Sequence, residues 1–146
     1  MSRVLVGLDY GRARIGVAVS TVLGTVHPRP RLDRTELQED LGALRDLIED
    51  TQADAVVLGL PHHMDGSESD MEREVRAFAA QLHAACGVPI YGTDERLTSE
   101  AAESILSKSH RDWRDRKARR DSAAACLLLQ DFVDAAGLGT EAERIA

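Results

Sequence analysis

The order of apolar segments in this chain predicts an α/β fold, a five-stranded mixed sheet with helices on both faces. Two apolar runs flank a turn in residues 4–19, and a continuous apolar run over residues 55–60 ends at a proline. Amphipathic segments alternate with the later apolar runs. Three meandering strands that are followed by alternating helices and strands form a mixed sheet with helices packed on its faces.

Residues 4–19 are predicted to form a hairpin whose turn carries charge. The two runs are rich in Val, Leu and Ile, which are typical of strands, and the turn contains Gly and Arg. Asp9 lies where the first strand leaves the core, and a carboxylate there is costly unless a positive group meets it. Gly11 offers backbone angles closed to residues with a Cβ, and Arg12 and Arg14 suit phosphate. The hairpin therefore predicts a site for a metal ion and a phosphate ester.

The later elements follow from apolar spacing and turn residues. Residues 24–30 can supply a short third strand that ends in a proline-marked loop. Thr35-Glu-Leu-Gln38 has the form of a capping box, and Gly87 is the expected end of the second helix. The other predicted elements are a first helix with Leu37, Leu41, Leu44 and Ile48 on one face, a strand over 55–60, a second helix with Met71, Val75, Phe78 and Leu82 on one side, a strand over 88–93, and helices over about 98–107 and 121–136. This order is the ribonuclease H-like arrangement.

The length and the charge of the chain limit its organisation and its partners. At 146 residues it is expected to hold one domain over residues 1–138, followed by a short tail over 139–146. A net charge of −7 means that nucleic acid would need a local basic patch. No apolar stretch approaches the roughly twenty residues of a membrane span, so no membrane partner is expected. Cys86 and Cys126 lack metal-ligand spacing and are expected to be buried free thiols, which fits a reducing cytosol.

Two acidic positions lie at the ends of later elements. Ala125, Leu128 and Phe132 follow Asp121 at helical spacing, which puts this acid on the stripe that faces the sheet. Asp is also a preferred helix N-cap, and this is the alternative role for Asp121. Asp94-Glu95 ends the fifth strand, where alternation allows only one of the two acids to join a site. A solvated acidic turn before a helix is the alternative there.

Asp9, Glu95 and Asp121 are predicted to converge, because they come from the ends of elements in one sheet layer. Three carboxylates would repel each other unless cations lie between them, and oxygen ligands favour Mg²⁺ or Mn²⁺. Two such ions about 3.5 to 4 Å apart can hold the attacking water and the leaving oxygen of a phosphodiester. Arg96 can add a phosphate contact. His62 and His63 are expected to be loop residues, although one of them could bind metal or move a proton.

The basic segment, residues 108–120, contains seven basic and two acidic side chains, a local charge of +5. Such a segment beside a carboxylate site suits a nucleic-acid backbone, with Arg114, Lys117 and Arg119 on phosphates and Trp113 stacked on an unpaired base. The alternative is a solvated surface.

Taken together, these residues resemble the YqgF family, also called RuvX or Holliday-junction-resolvase-like proteins. The resemblance implies a ribonuclease H-like fold, a cytoplasmic protein and a nuclease for the 5′ end of precursor 16S ribosomal RNA. It also implies metal and catalytic roles for Asp9, Glu95 and Asp121. The chain differs at His62-His63, where the family commonly has Leu-Asn. The matching residues are Asp9-Tyr-Gly11, Arg14-Ile-Gly-Val-Ala18, Val57-Leu-Gly59-Leu-Pro61, Met64-Asp-Gly66, Asp94-Glu-Arg-Leu-Thr98, Lys117, Asp121 and Ala123 to Ala125.

The leading hypothesis is a nuclease that needs Mg²⁺ or Mn²⁺ and hydrolyses RNA, with branched or single-stranded DNA as further substrates. A nucleotide phosphotransferase of the actin and sugar-kinase type also opens with an Asp-x-Gly hairpin, but it needs a second domain that 146 residues do not provide. A non-catalytic nucleic-acid-binding or ribosome-assembly module with the same fold stays open. Asp65 and Glu68 are alternative metal ligands, and both monomer and homodimer are compatible with the sequence.

Overall fold

The computed structural model describes residues 3–61, 65, 67–94, 122–137 and 143–146, which contain six strands and three helices. The predicted helix over 98–107 lies outside these ranges. None of the three helices is long and apolar enough to cross a membrane. The elements are β1 (Leu5–Asp9), β2 (Arg14–Ser20), β3 (Val26–Asp33), α1 (Leu37–Thr51), β4 (Ala55–Leu60), α2 (Asp70–Cys86), β5 (Ile90–Asp94), α3 (Ala123–Gly137) and β6 (Glu143–Arg144).

The six strands form one mixed sheet in the order β3-β2-β1-β4-β5-β6. β1, β4 and β5 are parallel to one another, while the other neighbouring pairs are antiparallel. All six residues of β4 are buried, as its uninterrupted apolar run predicted. The mixed sheet is confirmed, but the expected number of five strands is wrong. β6 has only two residues, which is too short to produce a periodic signal in the sequence.

The third strand differs from its prediction in length. β3 runs from Val26 to Asp33 and continues past Pro28 and Pro30, instead of ending at the prolines. Because β3 is at the edge of the sheet, a residue without an N–H group can be accommodated there. Ile15 pairs with Leu32 and Val17 with Arg29, so three residue steps on β3 oppose two on β2. This bulge interrupts the ladder between the two strands.

Helices cover both faces of the sheet, as predicted. The α1–α2 face holds the larger core, built from big aliphatic side chains such as Leu8, Leu44, Leu58 and Leu82. The α3 face is built mainly from smaller residues, including Ala18, Ala55, Val57 and Ala125, together with Leu128 and Leu129. A Cβ on Gly7 would lie 2.9 Å from Leu129 Cβ and 3.1 Å from the Ala125 carbonyl oxygen. The absence of a side chain at Gly7 therefore lets α3 approach β1 closely.

The helix ends follow the sequence signals in one helix and depart from them in another. In α2, Ser69 Oγ accepts a hydrogen bond from Glu72 N at 3.0 Å, and Gly87 ends the helix with a φ of 78°, as predicted. In α1, Glu36 occupies the N-cap without a side-chain bond, so the capping-box prediction is wrong. Thr35 donates its backbone N–H and its hydroxyl to Asp40 Oδ1, both at 3.1 Å. Cys86 and Cys126 are free thiols, as expected, but only Cys126 is buried, so the expected burial of Cys86 is wrong.

Candidate functional site

Asp9 is the last residue of β1, a central strand of the sheet. It lies at the carboxyl ends of the parallel strands β1, β4 and β5. Its neighbour Leu8 is fully buried, whereas Asp9 is only partly buried. Strand alternation puts Asp9 on the α3 face, together with Leu5 and Gly7. Ligands of open α/β sheets bind outside the carboxyl ends of the strands. Asp9 therefore offers a hard oxygen donor at a position typical of a functional site.

The turn that follows Asp9 is held by Arg34. The Arg34 side chain donates to the Gly11 carbonyl oxygen at 3.0 Å, and its backbone N–H donates to the Ala13 carbonyl oxygen, also at 3.0 Å. Gly11 does not use the left-handed backbone angles that a glycine offers, because its φ lies outside that range. Gly11 is required for space, because a Cβ there would collide with the carbonyl oxygen of Arg14.

Arg34 is in turn oriented by Asp40 of α1. The two side chains form an ion pair at 2.7 Å, with Asp40 only 1% exposed and Arg34 15% exposed. Burial acts to raise the pKa of Asp40, but hydrogen bonds from Arg34 and Thr35 outweigh it and hold the pKa below its ordinary value. A buried carboxylate that stays charged keeps its arginine in one place. Through the bonds of Arg34 to the turn, this ion pair connects the turn to α1 and holds it in place.

Tyr10 links the same turn to α2. Its ring centroid lies 4.9 Å from that of Phe78, and the Arg34 guanidinium carbon lies 5.0 Å from the Tyr10 centroid. Its hydroxyl donates to Glu74 Oε1 at 2.7 Å. Burial raises the pKa of Tyr10, and the bond to Glu74 acts in the same direction, although Arg34 opposes both. Tyr10 is therefore a neutral hydrogen-bond donor at physiological pH.

The two predicted phosphate-binding arginines of the hairpin are both exposed. Arg12 Nε donates to Glu74 Oε2 at 2.9 Å, and the hydrogen bonds from Tyr10 and Arg12 lower the pKa of Glu74. Arg14 is the first residue of β2 and pairs with Asp33 of β3. The structure thus brings Asp9, Arg12 and Arg14 into one hairpin, at the carboxyl end of β1 and the start of β2.

Ser122 anchors the start of α3 beside this hairpin. Ser122 is fully buried, and its hydroxyl bridges the bulge between β2 and β3. The hydroxyl accepts a hydrogen bond from Val17 N at 3.0 Å and donates one to the Arg29 carbonyl oxygen at 2.6 Å. Val17 pairs with Leu8, and the next pair toward the strand end is Asp9 with Gly16. The N-terminus of α3 is therefore held one residue pair away from Asp9.

Several predicted site residues lie outside the described residues. They are Glu95, Arg96, Trp113, Arg114, Lys117, Arg119 and Asp121, together with His62 and His63. In the part of the chain that the structure describes, no group of three or more metal-binding side chains occurs. The alternative ligand Asp65 accepts hydrogen bonds from Ser67 N and Oγ at 2.9 and 2.7 Å, and Glu68 pairs with Arg73 at 3.1 Å. These contacts give both acids a local structural role.

The sequence analysis missed the residues that support the hairpin. A signal existed for Asp40, because it lies on the apolar stripe of α1 with Leu44 and Ile48, where an acid needs a positive partner. No periodic signal exists for Ser122, because its two partners are 105 and 93 residues away in the chain.

Comparison with known proteins agrees with this architecture. Residues 3–135 match the RuvX family, described as Holliday junction resolvase. A protein of Syntrophus aciditrophicus named "Putative pre-16S rRNA nuclease" is 39% identical over 132 residues, which cover 90% of this chain and 88% of that protein. A Moorella thermoacetica protein with the same name is 39% identical over 134 residues, or 91% of this chain and 96% of its own.

Solved structures show the same fold at low sequence identity. The complex of Thermus thermophilus RuvC with a Holliday junction substrate has a TM-score of 0.64 and 16% identity, and the match covers 97% of this chain and 99% of that one. The fowlpox virus Holliday junction resolvase has a TM-score of 0.60 and 11% identity, with coverage of 90% and 99%. The predicted ribonuclease H-like fold, in the form found in these resolvases, is confirmed. The chain belongs to the RuvX family.

Proposed function

We propose that this chain is a metal-dependent nuclease that hydrolyses phosphodiester bonds in the maturation of the 5′ end of pre-16S ribosomal RNA, in the cytoplasm, with branched DNA as a second substrate. The observation that carries the proposal is the position of Asp9 at the carboxyl end of β1, beside the anchored start of α3. The names of the relatives supply the RNA substrate, and the family description supplies the branched DNA.

In this proposal Asp9, Glu95 and Asp121 hold the metal. Three carboxylates are a hard oxygen donor set that fits Mg²⁺ or Mn²⁺ better than zinc. When bound, these ions would supply an activated water and charge stabilisation at the leaving oxygen. Tyr91 packs in the core of the α3 face, which is the face of Asp9. We choose Glu95 over Asp94 because an alternation that starts at Tyr91 would return to this face at position 95.

The arginines of the hairpin serve substrate binding. Arg12 and Arg14 are exposed within five residues of Asp9, where a guanidinium can bind a phosphate oxygen through paired hydrogen bonds. We extend the same role to Arg96, Arg114, Lys117 and Arg119, and we assign base stacking to Trp113. The β1–β2 turn is held by Arg34, so the phosphate-binding groups start from an ordered backbone.

The Asp9→Asn variant tests the catalytic part of the proposal. It keeps the shape of the side chain but removes the charge that a divalent ion needs, so cleavage should fall by about 100-fold or more. Purified protein should be assayed on a pre-16S-type RNA, single-stranded DNA and a four-way DNA junction, each with Mg²⁺, Mn²⁺ or EDTA. Asp46→Asn is the matched control, because Asp46 is a 67% exposed acid on α1, which packs on the opposite face of the sheet.

Near wild-type cleavage by a folded Asp9→Asn protein would remove Asp9 from the mechanism. A wild-type protein that binds these substrates but cleaves none with either metal would instead be a non-catalytic module. Metal binding can also be measured without substrate. Mn²⁺ at about a hundred times its Kd should stabilise the wild-type protein by roughly 2.7 kcal/mol, and Asp9→Asn should lose most of this gain.

A further inference from the structure

Glu74 of α2 uses both oxygens of its carboxylate to bind the turn after β1. Oε1 accepts from the Tyr10 hydroxyl at 2.7 Å, and Oε2 accepts from Arg12 Nε at 2.9 Å. Both partners are more than 60 residues away in sequence. Glu74 therefore joins α2 to the turn that lies next to Asp9.

This ion pair differs from an ordinary surface pair, because Tyr10 holds one of its members. The Tyr10 ring packs against Phe78, which is 2% exposed, and against the guanidinium of Arg34. Exposed pairs contribute little when two long side chains must both be ordered to meet. Here the carboxylate is already oriented through Tyr10, so only Arg12 has to be ordered.

Arg12 is bound in a way that leaves it available to a ligand. Its side chain is 66% exposed, and its contact with Glu74 uses Nε. A guanidinium has five N–H donors, of which four are on the two terminal nitrogens. Those nitrogens have no hydrogen-bond acceptor among the residues that the structure describes. Two parallel N–H groups are the arrangement that binds a phosphate most strongly.

We propose that Glu74 is a positioning residue that holds Arg12 with its terminal nitrogens directed to a backbone phosphate of the nucleic acid. The proposal rests on the proposed function for its ligand. Arg12 is three residues from Asp9, so their Cα atoms are at most roughly 11 Å apart. This distance is about the rise of three nucleotides in one strand. The phosphate bound by Arg12 is therefore close to the one at Asp9.

Charge alone predicts the opposite effect of Glu74. Removing an acid from a protein of net charge −7 should strengthen the binding of a polyanion. If Glu74 only competes with phosphate for Arg12, Glu74→Gln should bind nucleic acid more tightly than the wild-type protein. If Glu74 positions Arg12, Glu74→Gln should bind it more weakly. The sign of the change separates the two roles.

The test is a double-mutant cycle on binding, with EDTA present to prevent cleavage. Fluorescence anisotropy with a labelled single-stranded RNA should compare wild type, Glu74→Gln, Arg12→Ala and the double variant at several salt concentrations. We expect Glu74→Gln to weaken binding about fivefold through the reordering of one side chain. We expect Arg12→Ala to reduce the slope of log affinity against log salt by about 0.7, while Glu74→Gln leaves it unchanged.

In the double variant, Glu74→Gln should add no further loss to Arg12→Ala, because it acts through that arginine. Glu143→Gln is the matched control: Glu143 also binds an arginine of α2, Arg76, and is 62% exposed, so the change in charge is the same. Its RNA affinity should equal or slightly exceed that of the wild-type protein. Should Glu74→Gln fail to fold, Tyr10→Phe keeps the Arg12 pair, frees the carboxylate and should weaken binding about twofold.

Wild-type or tighter binding by Glu74→Gln would overturn the positioning role. So would an additional loss in the double variant, or an unchanged salt slope for Arg12→Ala. None of these results bears on Asp9, whose role in cleavage is tested separately. Failure of the inference and failure of the proposed function are therefore distinguishable.

Discussion

The two faces of the sheet are built by different means. The α1–α2 face buries large aliphatic side chains and the ion pair between Arg34 and Asp40, which holds the turn after Asp9. The α3 face relies on small residues, and Gly7 lets the helix backbone approach the strand that carries Asp9. The α1–α2 face therefore supports the hairpin with an ion pair and large side chains. The α3 face brings a helix close to the site because its side chains are small. Removing the ion pair from one face and adding a side chain to the other should therefore lower the stability of the fold by different amounts.

The largest effect is expected on the α1–α2 face. Asp40→Ala leaves Arg34 without its partner in a mostly buried position, and such a change costs about 3 to 5 kcal/mol. Urea unfolding monitored by circular dichroism measures this loss. Asp46→Ala, an exposed acid on the same helix, should change stability by less than about 0.5 kcal/mol. Equal stabilities of the two variants would mean that the Arg34–Asp40 pair does not hold the turn.

A smaller loss is expected when volume is added to the α3 face. A side chain at Gly7 must displace Leu129 or the backbone of α3, so Gly7→Val should cost about 1 to 3 kcal/mol. Gly42→Val is a control for the loss of a glycine, because a Cβ at this position in α1 meets no atom within 4 Å. The comparison in urea should show the larger loss at Gly7. A Gly7→Val protein as stable as Gly42→Val would contradict the close approach of α3.

The hydroxyl that anchors α3 should have a somewhat smaller effect. Ser122→Ala leaves the buried N–H of Val17 and the partly buried carbonyl of Arg29 without their partner, at a cost of about 1 to 2 kcal/mol. Ser20→Ala is the control, since Ser20 is also buried but its hydroxyl accepts, among the described residues, one backbone hydrogen bond, from Leu5. Thermal melting of both variants should show the lower Tm for Ser122→Ala. A lower Tm for Ser20→Ala would show that the bridge across the bulge is dispensable.

The smallest effect concerns pH. Because the pKa of Asp40 in the folded protein is below its ordinary value of 3.8, its contribution is complete above that value and is lost as the pH falls further. Asp40→Asn should therefore lower Tm at pH 6, and its difference from the wild-type protein should shrink below pH 4. Melting curves from pH 6 to pH 3 provide the measurement. A constant difference over this range would show that folding does not lower the pKa of Asp40.

Much of the fold could be predicted because the buried sides of helices and strands consist of apolar residues at regular spacing. The uninterrupted apolar run of β4 and the stripes of α1 and α2 reflect which sides of these elements meet the core. β6 could not be predicted, because a strand of two residues is too short to show alternation of apolar and polar residues. The full length of β3 could not be predicted, because prolines normally end a strand. Both depend on position within the sheet, which is a property of the whole fold.

The site was predictable where its residues are adjacent in the chain. Asp9, Arg12 and Arg14 follow an apolar run directly, so one hairpin carries them all. The contacts of Glu74 and Ser122 with the turn and the bulge join residues that are 62 to 105 positions apart, and only the folded chain brings them together. The structure shows where Asp9, Arg12 and Arg14 lie, but their roles, like those of Glu95, Asp121 and the basic segment, stay predictions.

The edges of the sheet have a consequence for self-association. A long open edge strand invites pairing with a second chain, and this leads to aggregation. At one edge, β3 contains Pro28 and Pro30 and is bent by a bulge, and at the other, β6 offers only two residues. Both edges are therefore poor templates for the addition of another strand, which protects the folded chain from aggregation through its sheet edges.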